Sequence, residues 1–78
     1  MDVRYTVILE PDAGAFNVIV PALPEVATFG KTPEEALAMA REAIQAVLED
    51  RTAHGEEIPP SDVGTARIET VAISLPAA

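Results

Sequence analysis

Thr32-Pro33-Glu34-Glu35-Ala36-Leu37-Ala38-Met39-Ala40-Arg41-Glu42-Ala43-Ile44 decides the fold, because it marks a helix by both its start and its period. Threonine supplies a capping oxygen, and proline fits the first helical position, where its missing N–H costs nothing. The glutamate three residues after the cap can reach back to complete a capping box. Leu37, Ala40, Ile44, Val47 and Leu48 recur at helical spacing and predict one apolar stripe. Glu34, Ala38, Arg41, Glu42, Gln45 and Glu49 fall on the opposite side. His54-Gly55 supplies the stop, glycine being suited to the left-handed position that closes a helix. The helix is expected over Pro33–Ala53, roughly 30 Å, which is enough to cross a small sheet.

Upstream of the helix the period changes from helical to two. Val3, Tyr5, Val7 and Leu9 alternate with polar or exposed-type neighbours and predict a half-buried strand over residues 3–10. Pro11-Asp12-Ala13-Gly14 carries turn chemistry, and Phe16, Val18 and Val20 define a second strand over residues 16–20. The two runs predict an antiparallel hairpin. Pro21 and Pro24 end it, and residues 26–29 before Gly30 predict a short third strand. After the helix, Ile58-Pro59-Pro60-Ser61 reads as an extended connector. Residues 67–75 predict a fourth strand, with Val71 and Ile73 on one face and Ile68, Thr70 and Ala72 on the other.

The expected architecture is a single small α+β domain over residues 1–78, ordered β-β-β-α-β, an antiparallel sheet with one long helix on one face. Ile8, Ile19 and Ile68 fall on the uncovered face, which suits a second copy better than water and leads to an expected homo-dimer or tetramer.

Composition narrows the function classes. With 78 residues the core is thin, and alanine contributes fourteen of the apolar residues, so little large apolar surface is available. The absence of cysteine excludes disulfides, thiolate metal sites and a cysteine nucleophile. The net charge of −8 is the opposite of a nucleic-acid-binding surface, which depends on Lys and Arg displacing counterions. One lysine and four arginines are scattered singly, so no direct nucleic-acid contact is expected, and a basic partner is the natural complement. The longest apolar run, residues 36–40, is far short of the roughly 20 residues that span a bilayer. No membrane association and a cytoplasmic location are the corresponding expectations.

Five pieces of the chain resemble, in order and spacing, the N-terminal domain of the HicB antitoxin family. They are Tyr5-Thr6-Val7-Ile8-Leu9-Glu10 with Asp12 and Gly14, and Val20-Pro21-Ala22-Leu23-Pro24. Next come Thr28-x-Gly30-x-Thr32-x-Glu34-Glu35-Ala36-Leu37 and Ala40-Arg41-Glu42-Ala43-Ile44, and lastly Gly55-Glu56-x-Ile58-Pro59-Pro60-Ser61. The resemblance implies a partial ribonuclease-H-like β-β-β-α-β domain. It also implies a non-enzymatic antitoxin that neutralises a small basic HicA-like toxin, an mRNA-cleaving protein of a type II toxin–antitoxin system. The chain departs from the family's pattern at Glu25, Val26, Phe29 and Lys31, all in or near the loop before the helix. Many members of the family carry a C-terminal DNA-binding module, and this sequence ends at Ala78, so DNA contact by this chain is not expected. An orphan homo-oligomeric module without a toxin is the alternative.

Simpler roles account for most of the candidate site residues. His54, the only histidine, stands at the expected helix end, where capping and the helix dipole account for it better than catalysis does. Glu10 and Asp12 carry the right chemistry for a two-metal nuclease but sit at strand ends, and Glu69 is remote in sequence. Glu34 and Glu35 suit a helix N-terminus. Met39 and Phe29 read as core fillers. No catalytic, metal or cofactor site is expected. Glu49, Asp50, Glu56 and Glu57 differ, because they bracket a helix C-terminus where negative charge is unfavourable, with Arg51 alone to offset them. They are the expected docking residues for a basic partner.

Overall fold

The computed structural model describes residues 2–64 and 67–76. β1 (Ile8–Asp12) and β2 (Ala15–Ile19) form an antiparallel hairpin, with Ile8 opposite Ile19 and Asp12 opposite Ala15. Ala13 and Gly14 alone make the turn, both at positive φ (50° and 83°). That is the type I′ geometry whose twist matches the strands it joins. Gly14 adopts it freely, whereas the Cβ of Ala13 costs about 1 kcal/mol there.

The first strand is thus shifted from its expected place at residues 3–10. Pro11 and Asp12, expected in the turn, belong to β1, because β1 lies at the sheet edge and Pro11 pairs with Phe16 at a position needing no N–H toward β2. Residues 3–7 precede the ladder, yet the expected face holds: Val3, Tyr5, Val7 and Leu9 are all half-buried.

β3 (Thr28–Gly30) pairs antiparallel with β2, giving the order β1-β2-β3. α1 (Pro33–Ala53) lies across one face and packs mainly against β3 and β2. The buried core is Val18, Val20, Leu23, Val26, Ala36 and Ala40. Leu23 comes from the proline loop between β2 and β3, where its N–H donates to Val20 O (2.9 Å) and its carbonyl accepts from Val26 N–H (3.1 Å).

Both helix ends form as their residues dictate. The Thr32 side chain accepts from Glu35 N–H at 3.1 Å, and Glu35 Oε1 accepts from Lys31 N–H at 3.3 Å. At the other end, Glu56 N–H donates to Arg51 O (2.9 Å) and Gly55 N–H to Thr52 O (3.1 Å). With Gly55 at φ 71°, this is a Schellman closure.

The apolar stripe is rotated from its expected line. Ala36 and Ala40 are the fully buried positions, while Leu37 remains 49% exposed. Gly30 explains the choice: the helix backbone at Ala36 passes so close to it that only small residues fit between helix and sheet. Phe29 and Met39, expected in the core, are exposed instead. Phe29 alternates away from the helix, and Met39 points off the sheet.

Three strands and one helix form the α+β domain, and the expected fourth strand does not form within the chain. Residues 67–75 are without strand pairing, and Ile68, Val71, Ile73 and Leu75 are 87%, 79%, 73% and 83% exposed. A strand requires a partner edge, and the connector before this segment turns toward residues 4–6. Asp62 N–H donates to Arg4 O (3.1 Å), Arg4 N–H to Ser61 Oγ (2.9 Å), and Thr6 N–H to Asp62 Oδ1 (2.6 Å).

Candidate partner-binding surface

The last two turns of α1 and the loop that follows carry the four acidic side chains expected to dock a basic partner. Glu49 and Asp50 project from the helix, and Glu56 and Glu57 follow the Schellman closure directly; all four are exposed. Glu49 Oε1 accepts from Gln45 Nε2 at 2.8 Å, one turn earlier. Asp50 lies 3.4 Å from His54 Nδ1, and the same ring nitrogen lies 2.8 Å from the Asp50 carbonyl. His54 is therefore the helix cap residue, in contact with the carbonyl end of its own helix.

Arg51, the basic residue of the last helical turn, is the hub of this end. Its Nε and Nη2 each donate to Glu25 at 2.8 Å, a bidentate pair, and its Nη1 donates to Glu57 O at 3.4 Å. Bidentate geometry fixes both partners, since the planar guanidinium matches a carboxylate edge to edge. The pair joins the loop between β2 and β3 to the helix end across 26 residues of sequence. Hydrogen bonding from Arg51 holds the Glu25 carboxyl below the usual carboxylate range, and the same bonds raise the Arg51 pKa. Because Arg51 is engaged by Glu25, it offsets the field of Glu49, Asp50, Glu56 and Glu57 less than the sequence implies.

Tyr5 seals the underside of the same end: its hydroxyl donates to Pro59 O at 2.5 Å. Burial pushes its pKa up, partly countered by the nearby Arg51 charge. Glu25 and Tyr5 were missed as contributors to this surface. Their partners lie 26 and 54 residues away, and nothing in a local pattern joins them. The other candidates lie apart. Glu34 and Glu35 occupy the first helical turn, and Asp12 accepts from Asn17 Nδ2 at 3.2 Å at the hairpin tip.

The Glu25–Arg51 pair has a pH signature. A carboxyl whose folded pKa is depressed adds stability above its unfolded pKa and loses it as pH falls through the folded value. Below about pH 4.5 the native chain is expected to lose stability more steeply than a Glu25→Gln variant. Chemical denaturation at stepped pH checks this, and parallel curves for the two proteins would contradict it.

A second exposed surface is the sheet face away from α1. Ile8, Ile19 and Phe29 are exposed there, beside Glu10 and Asn17. Among the described residues, no helix is long and apolar enough to cross a membrane.

The family model for HicB-like antitoxins of bacterial toxin–antitoxin systems matches residues 5–76. A UPF0150 protein of Thermoplasma acidophilum is 47% identical over 57 residues, covering 72% of this chain and 83% of its own length. Two Photorhabdus laumondii proteins named Antitoxin HicB 2 and Antitoxin HicB 1 are 40% and 43% identical over 72 and 65 residues. Those matches cover 91% and 81% of this chain, but only 52% and 42% of the two antitoxins, so the chain spans about half their length. No solved structure matches.

Proposed function

The chain belongs to the HicB-like antitoxin family of bacterial toxin–antitoxin systems, and from that premise we propose that it binds and neutralises a small basic HicA-like toxin. It acts by binding rather than catalysis, covering the toxin's RNA-cleaving surface, in the cytoplasm and without touching nucleic acid itself. The observation that carries this reading is the acidic end of α1, where Glu49, Asp50, Glu56 and Glu57 surround an Arg51 already engaged by Glu25. Negative charge at a helix C-terminus is locally unfavourable, and a cationic partner relieves it. Charge complementarity of this kind sets association rate and orientation.

The test is charge reversal. Glu49→Lys/Glu56→Lys/Glu57→Lys is expected to weaken toxin binding by about a hundredfold or more, since like charges set face to face cost several kcal/mol. The variant should also flatten the dependence of affinity on salt. All three side chains are exposed, so its fold should be unchanged. Titration calorimetry at two ionic strengths reads both quantities, and an unchanged affinity would retire this surface as the docking site.

The second reading is an orphan homo-oligomeric module of the same family with no toxin. The apolar residues on the open sheet face, Ile8, Ile19 and Phe29, favour self-association independently of any toxin. Gene context separates the two readings: a short adjacent frame encoding a basic protein favours the antitoxin.

A further inference from the structure

The fold lacks one strand and the chain displays one. Asp12 opposite Ala15 closes a two-residue hairpin, so that pair is hydrogen-bonded, and alternation turns Ile8 and Glu10 toward β2 as well. Leu9 is left with its N–H and C=O directed outward from β1. Beside the segment that leads into that edge runs a groove of about 500 Å³, with Tyr5 and Val7 on one side and Leu37 and Ile44 of α1 on the other, and with Arg4, Arg41 and Val63 also lining it. It exists because α1 packs on β3 and β2 and reaches past β1 without cover. Leu37, half-exposed on the helix, lies in this groove.

Residues 67–75 have the complementary chemistry. Val71, Ile73 and Leu75 recur with period two, and Thr70, Ala72 and Ser74 fall between them. In the isolated chain their apolar members are almost wholly in solvent, and the Arg67–Glu69 contact at 2.6 Å joins two residues of the same segment. The segment stands off the body. The molecule measures 56 × 27 × 19 Å, with a radius of gyration of 15.8 Å against about 11–12 Å for a compact domain of this length.

We propose that residues 67–75 are an exchange strand that adds to the β1 edge of a second copy, with Val71, Ile73 and Leu75 closing that copy's groove over Leu37 and Ile44. The second copy returns its own strand to the first, so a two-fold dimer fills both grooves and leaves neither arm exposed. The occupant is a second copy because the arm extends away from its own body and each copy offers one arm and one groove. This shares the self-association of the second reading above but places it at the arm and groove rather than on the open sheet face, and it is independent of any toxin.

The test is mass by light scattering at micromolar concentration, with helicity followed by circular dichroism. The native chain is expected at twice its 8.2 kDa. Val71→Asp/Ile73→Asp is expected at single mass with unchanged helicity, because the arm contributes nothing to the buried core. Leu37→Lys, at the groove, should give the same result, whereas Phe29→Lys on the open sheet face should leave the mass doubled. A native chain of single mass overturns the exchange and self-association together. A Val71→Asp/Ile73→Asp variant that keeps the doubled mass overturns the exchange alone.

Discussion

Gly30→Ala is expected to lower the free energy of unfolding by about 3 kcal/mol, at the upper end of what overpacking a well-filled site costs. A Cβ at Gly30 would lie 2.3 Å from the Ala36 nitrogen, 2.6 Å from its Cα and 2.8 Å from the Glu35 carbonyl carbon. These are backbone atoms, so no rotamer change relieves the clash. They also belong to the first turn of α1, where Thr32 and Glu35 are bonded to each other through the cap. The helix must lift from β3, and Ala36 and Ala40 lose their burial with it. A domain of this size has roughly 4–12 kcal/mol in total, so a quarter or more would be lost. Urea unfolding measures the change, and an unaltered midpoint would show that the helix does not approach the sheet as closely as described.

Leu23→Ala should cost a similar amount, about 3 kcal/mol, through a different mechanism. Leu23 is the largest side chain with no exposed surface, and its truncation leaves a void that the surroundings cannot easily collapse into. Pro21 and Pro24 stiffen the loop on either side, and the bonds to Val20 and from Val26 fix its backbone. Leu37→Ala is the internal comparison. Leu37 is half-exposed, so the same deletion should cost under about 1 kcal/mol in the isolated chain. Equal losses at both positions would contradict the assignment of the core.

These two residues also show what was legible in the sequence. The helix start reads directly, because capping and proline position are local chemistry, whereas Gly30 was expected just past the third strand and its close approach to the helix has no local signal. The hairpin was visible in the period-two pattern, but its turn was placed too early, since Pro11 suggests a break until its edge position is known. The burial of Leu23 has no local signal, because a single buried residue between two prolines has no periodicity. Leu37 and Ala36 differ by one step around the helix. Only the close approach at Gly30 selects the smaller residue as the buried one.

The candidate surface divides in the same way. That Glu49, Asp50, Glu56 and Glu57 stand exposed around a helix C-terminus was legible, because the helix stop is local chemistry. Glu25 was not, because its partner Arg51 is brought to it by the fold. The segment 67–75 has the alternation of a strand, and its reading as one was chemically sound. What sequence did not carry was whether an edge within the same chain would receive it. Tertiary pairing, rather than propensity, determines that outcome.

RNA cleavage by any small basic protein found to be encoded beside this chain, assayed alone and with the chain added, tests the central claim most directly. Cleavage should stop at one equivalent of the native chain and persist with Glu49→Lys/Glu56→Lys/Glu57→Lys. Cleavage that continues undiminished with an excess of the folded native chain would contradict neutralisation.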